Sequence, residues 1–274
     1  MNQKSKVSKN FIKNLKENKI GIFIIAKLGS KRLKDKIKTK LNGITLIEIL
    51  IKRIIKEIGS KNLIICSSGT GSKRFFQTLR KKYQLKIFFG QNKNVLGRIL
   101  KCMRKYNFKH FVRVTGDNPF TDCKTIKDLV RAHIKNNNDY TYTMSMPIGM
   151  RSEVFSLKAL VKCEKSILNR NSTEYLTYFF LRRDLYKIEN IKIRKLFNLQ
   201  NQLNISIDYE NDLFLLKKIL NKFNGNIYVD RQKIIKFLKE NTQPIRLIKK
   251  VSIKTNLYDA RYIFDKKNKI ISLN

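Results

Sequence analysis

The sequence is poor in cysteine, histidine and long hydrophobic runs, and each shortage excludes a class of protein. Its four cysteines are widely spaced without a C-x-x-C pair, and only two histidines accompany them, which argues against a zinc site or a disulfide framework. No apolar run approaches the roughly 20 residues of a membrane helix, so we expect no membrane insertion. The basic segment 1–19 lacks a small-residue cleavage site, so we expect a cytoplasmic protein with reduced thiols.

Acidic residues are scarce as well. The chain of 274 residues has 20 Asp and Glu against 60 Lys and Arg, a formal net charge of +40. Such a charge is typical of a nucleic-acid-binding protein, which we keep as an alternative. The basic residues are spread along almost the whole chain, however, so we interpret them mainly as solvated surface and expect no nucleic-acid partner.

An apolar run followed by a cationic turn stands out at residues 20–36, IGIFIIAKLGSKRLKDK. The β-branched first half predicts a strand buried on both faces. Ligands of open α/β sheets bind beyond the carboxyl ends of the strands, so the turn lies where a nucleotide would bind. Gly29 would let backbone N–H groups approach a phosphate, and Ser30, Arg32 and Lys36 would add a hydroxyl and positive charge. An ordinary solvated loop is the competing interpretation.

Strand and helix patterns alternate after this turn. Further strands are predicted at Leu63–Cys66, Lys86–Phe89 and Phe111–Thr115, with an amphipathic helix before each of them. This alternation is typical of a mainly parallel, doubly wound α/β sheet. We therefore divide the chain into a basic leader at 1–18, which is flexible or forms a weak helix, one domain at 19–242 and a C-terminal tail at 243–274.

Two acidic residues follow predicted strands. Asp117 comes after the strand that ends at Thr115, and the next residues, Asn-Pro, turn the chain at once. Asp208 comes after a strand predicted at Leu203–Ile207. If both strands run the same way in one sheet, their carboxyl ends bring the two side chains close together. A plain turn residue is the alternative for Asp117.

Several segments resemble the cytidylyltransferases that activate sugars as CMP derivatives, especially the branch named after spore coat polysaccharide biosynthesis protein F. That family is related to the acylneuraminate and 3-deoxy-manno-octulosonate cytidylyltransferases. Residues 26–36 resemble its AR-x-G-S-x-R-L-P-G-K loop, with Lys27, Lys34 and Asp35 in place of Arg, Pro and Gly. Residues 90–98 resemble G-x-x-x-D-V-L-x-R, with Asn94 in place of the acid. Residues 113–120 resemble R-I-T-G-D-C-P-L, and residues 205–213 resemble L-T-V-D-T-P-E-D-L.

Two more segments extend the resemblance, which covers about residues 20–223. Residues 147–156 resemble Y-P-x-G-x-x-x-E-V-F-S, and residues 173–177 resemble R-E-H-V-T, with Thr173 and Tyr175 in place of Arg and His. In the family this region faces the acceptor sugar. The resemblance therefore implies acceptor contacts from Arg151, Glu153 and Glu174.

The resemblance also implies a fold and a reaction. The fold is the three-layer α/β/α, Rossmann-like nucleotide-diphospho-sugar transferase fold, and the enzyme is expected to form a homodimer. In the reaction a hydroxyl of a sugar, expected to be acidic, attacks the α-phosphorus of CTP and releases pyrophosphate. The implied nucleotide contacts are Ala26, Gly29, Ser30, Arg32, Lys36 and Arg98. The implied catalytic residues are Arg32, Lys36, Asp117 and Asp208, of which the two aspartates would hold Mg²⁺.

Three alternatives stay open beside this interpretation. Asn94 would serve equally well as a helix cap, and Glu153 as an edge-strand charge facing water. The departures at Lys34, Asp35, Asn94 and Tyr175 allow a degenerate relative that only binds nucleotide. A glycosyltransferase would be expected to have a D-x-D motif, and the sequence contains none.

Overall fold

The computed structural model describes residues 3–29, 33–69, 71, 73–167, 173, 176–177, 179–193, 203–242, 249–255, 258–264 and 270–273. The helices found there are α1 (Gln3–Glu17), α2 (Leu46–Ile58), α3 (Lys73–Tyr83), α4 (Val95–Lys105), α5 (Cys123–Lys135), α6 (Leu157–Ser166), α7 (Glu210–Lys222) and α8 (Arg231–Asn241). The strands found there are β1 (Ile20–Ala26), β2 (Lys40–Leu41), β3 (Ile44–Thr45), β4 (Leu63–Ser68), β5 (Lys86–Gly90), β6 (His110–Thr115), β7 (Tyr140–Tyr142), β8 (Glu153–Ser156), β9 (Ile188–Asn190), β10 (Lys249–Thr255), β11 (Tyr258–Phe264) and β12 (Ile270–Leu273).

A seven-stranded sheet forms the centre of the domain, in the order β5-β4-β1-β6-β8-β7-β9. Strand β1 runs parallel to β4 and β6 on either side, and β4 runs parallel to β5. Strand β8 is antiparallel to both of its neighbours, while β7 and β9 are parallel. The mainly parallel sheet predicted from the sequence is therefore confirmed, with one reversed strand.

Helices cover both faces of this sheet because β1 is apolar on both sides. Ile22 and Ile24 pack in one core cluster with residues of α2 and α5. Phe23, which points to the other face, packs with residues of α4 and α6. These two clusters are the two interfaces of a three-layer α/β/α arrangement, as the resemblance implied.

The N-terminal segment forms a helix, the second of the two interpretations of the leader at 1–18, and not a flexible leader. Residues 3–17 form α1, and Phe11 and Leu15 are 4% and 1% exposed. Their spacing of four residues puts both side chains on one face of the helix, where they join the core cluster that contains α2. Residues 9–17, whose side chains the structure describes, therefore belong to the domain.

The segment at 203–207 corrects a second expectation, because it is not a strand of the central sheet. It pairs with the loop after β7 through a single bridge between Ile148 and Asn204. Gly149 permits this approach: its φ is +92°, and a Cβ placed there would lie 2.4 Å from the Ser206 nitrogen. The two backbones therefore come closer than any side chain would allow.

The described part of the C-terminal tail forms a sheet of its own. Strands β10, β11 and β12 pair in that order and antiparallel. The predicted boundary at 242/243 adjoins residues 243–248, which lie outside the described residues. Among the helices described, none combines the length and the apolar character needed to cross a bilayer.

Candidate active site

Lys36 joins the two acidic residues at the carboxyl edge of the sheet. Its Nζ donates to Asp117 Oδ2 at 2.6 Å and to Asp208 Oδ1 at 2.9 Å. A third hydrogen bond goes to the Ile207 carbonyl oxygen at 2.8 Å. Lys36 is 8% exposed and Asp208 is fully buried. The structure therefore brings the two carboxylates together on one ammonium, although the residues lie far apart in sequence.

Backbone contacts hold the two carboxylates in place. The Ile207 N–H donates to the Asp117 carbonyl at 3.1 Å, which aligns the 203–207 segment with the end of β6. Asp212, in the first turn of α7, accepts from the N–H groups of Asp208 and Tyr209 at 2.7 and 2.9 Å. Asp208 lies between the 203–207 segment and the capped start of α7, and hydrogen bonds on both sides therefore fix its backbone position.

The ammonium of Lys36 is buried but stays charged. Burial by itself would lower the pKa of Lys36, but the carboxylates of Asp117 and Asp208 outweigh this effect and raise the pKa. The ammonium therefore stays charged at neutral pH.

The oxygen ligands of this cluster suit a divalent cation that also binds substrate. In the described part of the chain, no group of three or more His, Cys, Asp or Glu side chains is placed to hold a metal by itself. Mg²⁺ needs fewer protein ligands, because it is commonly held by one or two carboxylates together with substrate phosphates. Three hard oxygen atoms lie around Lys36 Nζ, from Asp117, Asp208 and the Ile207 carbonyl. These residues therefore fit such an ion.

Asp35 explains one departure from the family's loop. Its φ is +50°, a left-handed conformation in which Asp is tolerated and the family's Gly would be unstrained. Its carboxylate accepts from the Gly29 N–H at 3.0 Å and from Lys38 Nζ at 3.0 Å. The Gly29 N–H and Lys38 lower the pKa of Asp35. The N–H group predicted to approach a phosphate is therefore bound by a carboxylate in this structure.

The other predicted nucleotide contacts lie in different surroundings. Ala26 ends β1 and is buried beside Gly116, where a Cβ would lie 3.0 Å from the Ala26 Cβ. Ser30 and Arg32 lie outside the described residues. Arg98, which is 3% exposed, donates to the Gln91 carbonyl at 2.7 Å and so holds the loop after β5. Its nucleotide contact stays a prediction.

Asn94 acts as the helix cap that was one of its two interpretations. Its Oδ1 accepts from the Gly97 N–H at 2.7 Å at the start of α4. The family's acid at this position would cap the helix in the same way. Replacement of that acid by Asn therefore preserves the local structure.

Glu153 lies in an internal hydrogen-bond network. Its Oε1 accepts from the Tyr140 hydroxyl at 2.5 Å and from Thr177 Oγ1 at 2.7 Å, and its Oε2 accepts from Arg113 Nη1. The alternative of an edge charge facing water is therefore wrong, because this carboxylate connects β6, β7, β8 and residue 177. The acceptor contact of Glu153 stays a prediction, and Glu174 lies outside the described residues.

Arg151 is the remaining predicted acceptor contact. Its Nε donates to the Met146 carbonyl at 2.6 Å, which ties the guanidinium to the loop before β8. Burial lowers the pKa of Arg151 to about 10, although the charge of Glu153 acts in the opposite direction. The guanidinium is still cationic at neutral pH, so it can attract an anionic group.

Sequence reasoning missed Arg113, Tyr140 and the Ile207 carbonyl. Arg113 lies in the apolar strand β6, and burial alone would lower its pKa, but Glu153 raises it. An arginine inside an apolar strand requires a carboxylate partner, and that signal was available in the sequence. Nothing in the sequence marks a carbonyl oxygen such as that of Ile207.

Comparison with protein families matches residues 22–234 to the family described as cytidylyltransferase. The chain belongs to the cytidylyltransferase family. This match confirms the resemblance inferred from the motifs and makes the chain a nucleotidyltransferase by family. It spans both residues of the acidic pair and Lys36.

Two curated relatives are similar to most of the chain. An uncharacterized protein of Methanocaldococcus jannaschii is 33% identical over 225 residues, which cover 82% of this chain and 91% of the relative. The spore coat polysaccharide biosynthesis protein SpsF of Bacillus subtilis is 26% identical over 230 residues, which cover 82% and 95%. The predicted similarity to that branch is therefore confirmed.

Solved structures show the same fold. A cytidylyltransferase from Leptospira borgpetersenii superposes with a TM-score of 0.71 at 22% identity and covers 81% of this chain and 94% of its own. A CMP:2-keto-3-deoxy-manno-octonic acid synthetase complexed with CTP superposes with a TM-score of 0.57 at 12% identity and covers 75% and 99%. The predicted Rossmann-like nucleotidyltransferase fold is thus confirmed.

Proposed function

We propose that this cytidylyltransferase transfers CMP from CTP to a hydroxyl of an acidic sugar, releases pyrophosphate and supplies an activated sugar for surface polysaccharide. The observation that carries the proposal is the contact of Lys36 with Asp117 and Asp208 at the carboxyl edge of the sheet. The names of two similar proteins support the finer points, since one is a polysaccharide biosynthesis protein and the other makes CMP-2-keto-3-deoxy-manno-octonic acid.

The reaction requires positioning and charge neutralisation rather than a side-chain nucleophile. The hydroxyl oxygen of the sugar forms a bond to the α-phosphorus of CTP and loses its proton to solvent, as the bond from that phosphorus to the bridging oxygen breaks and pyrophosphate leaves with its electron pair. Lys36 and Arg32 bind the phosphates. A bound Mg²⁺ would neutralise charge that develops on the phosphate oxygens. Asp117 and Asp208 would hold that ion.

The acceptor is proposed to bind on the side of the site formed by β8 and the loop before it. Arg151 offers a cation for an acidic sugar, and the network around Glu153 holds the neighbouring strands together. Four buried cysteines, all free, are consistent with a reducing compartment, which supports a cytoplasmic enzyme.

The proposal is tested by a pyrophosphate-release assay. Purified protein is incubated with Mg²⁺, each of the four ribonucleoside triphosphates, and a panel of sugar acids with their neutral analogues as controls. We expect release with CTP and a sugar acid, and we expect Asp117→Asn or Asp208→Asn to lower turnover by roughly several powers of ten if the metal is lost. Asp230→Asn is the matched control, because that carboxylate caps α8 and binds Lys124.

Two results would contradict the proposal. Release that depends on a purine nucleotide but not on CTP would remove the assigned substrate. Full turnover in both aspartate variants would remove the assigned site even if CTP is consumed.

A further inference from the structure

The oxygen atoms suited to a divalent cation are already bound to a cation that belongs to the protein. Lys36 Nζ lies 2.6 Å from Asp117 Oδ2, 2.8 Å from the Ile207 carbonyl oxygen and 2.9 Å from Asp208 Oδ1. These are the distances of charge-assisted hydrogen bonds. The ammonium therefore neutralises part of the charge of two clustered carboxylates, one of which is fully buried.

An ammonium and a metal ion in contact with the same three oxygen atoms repel each other, so each weakens the binding of the other. A divalent ion that binds without nucleotide would have to displace the ammonium of Lys36, a residue that is only 8% exposed. The displaced ammonium would lose its three hydrogen-bond acceptors. The displacement costs much less when another anion receives the ammonium. Lys36 is the last residue of the loop predicted to bind phosphate and begins a short 3₁₀ turn, Lys36–Lys38. Its side chain is a flexible four-carbon stem.

We propose that Lys36 makes the divalent-cation site conditional on nucleotide. Without nucleotide the ammonium is the counter-ion of Asp117 and Asp208 and keeps divalent cations out. When a nucleoside triphosphate binds, its phosphates take the ammonium and the two carboxylates become available to the cation that accompanies the nucleotide. This inference rests on the proposed function, because it uses the same site and substrate class.

The proposal is tested by Mn²⁺ binding without nucleotide, measured as free Mn²⁺ by electron paramagnetic resonance. We compare the wild type with Lys36→Met, which keeps the apolar stem and removes the charge. We expect the variant to bind one Mn²⁺ about 5- to 150-fold more tightly than the wild type, the usual range of a coupling between two ligands. Lys38→Met is the matched control, because Lys38 pairs with Asp35 and is expected to leave Mn²⁺ binding as in the wild type.

A comparison of the wild type with Asp208→Asn provides a second test, which does not use a Lys36 variant. Asp208→Asn removes one ligand, so any Mn²⁺ that the wild type binds and this variant does not is bound at the site. We expect the two proteins to bind equally little Mn²⁺ without nucleotide. The proposal would be overturned if the wild type bound Mn²⁺ more strongly than Asp208→Asn. It would also be overturned if the wild type and folded Lys36→Met bound Mn²⁺ equally.

The outcome is independent of the pyrophosphate assay. Mn²⁺ bound tightly at the wild-type site without nucleotide would refute the role of Lys36 and leave CMP transfer intact. Failure to release pyrophosphate from CTP would refute the proposed function, while the Mn²⁺ comparison would still measure whether Lys36 excludes cations. If Lys36→Met is unfolded by circular dichroism, Lys36→Gln replaces it in the same comparison.

Discussion

Removal of the Lys36 charge should destabilise the folded protein as well as impair the reaction. In Lys36→Met, the carboxylates of Asp117 and Asp208 stay close together without their common ammonium. One of them is fully buried, and breaking a buried ion pair by removing one partner costs about 3–5 kcal/mol of folding free energy. We expect a loss of this size from the free energy of unfolding, measured by urea denaturation with circular dichroism in a chelating buffer.

Lys38→Met is the control for this measurement. Lys38 pairs with Asp35, but its side chain is 38% exposed, so its loss should cost about 0–1 kcal/mol. Adding Asp208→Asn to Lys36→Met should recover part of the stability, because a single carboxylate no longer has a like charge beside it. If Lys36→Met and Lys38→Met lose the same small amount, the buried charge cluster does not exist in solution.

Three further predictions follow from individual contacts. Asp35→Asn keeps a residue that tolerates φ +50° but removes a charge that competes with phosphate, so calorimetry should show tighter CTP binding by roughly 0.2–1 kcal/mol. Gly149→Ala should destabilise the protein by about 1–3 kcal/mol in thermal denaturation. The control Gly225→Ala should cost less, because that residue is also at positive φ but a Cβ there would lie 3.5 Å from its nearest atom, Asn42 Nδ2. Burial lowers the pKa of His110 to about 4 and of His133 to about 3. The unfolded chain therefore binds more protons below about pH 6.5, and the free energy of unfolding should fall as the pH drops from 6.5 towards 4, less steeply in His133→Gln.

Local patterns in the sequence were sufficient for the main elements of the fold. The β-branched run at 20–25 predicted the central strand β1, and the alternation of strands and helices predicted a mainly parallel sheet. The helix cap was one of the two interpretations of Asn94, and Asn94 accepts a hydrogen bond from a backbone N–H in the first turn of its helix, as Asp122 and Asp230 do in theirs. These features depend on neighbours within a few residues, so one segment of sequence contains all the information they need.

The two acidic residues of the site could be recognised in the sequence, but the way in which the fold brings them together could not. The sequence predicted that Asp117 and Asp208 would meet because both follow strands of one sheet. The structure brings Asp208 there by another route, through pairing of the 203–207 segment with the loop that contains Gly149. That route depends on two backbones packing closely, which a residue pattern does not encode.

The tertiary structure alone decided which charges meet. Lys36 contacts Asp117 and Asp208, which are 81 and 172 residues away, so no local pattern predicts this pairing among the 60 Lys and Arg of the chain. The same holds for Glu153, whose partner Arg113 is 40 residues away. The sequence determined which residue types stand at the carboxyl edge of the sheet, because strand ends are a local property. Their pairing was decided by folding, because burial makes each charge bind the nearest opposite charge in space and not in sequence.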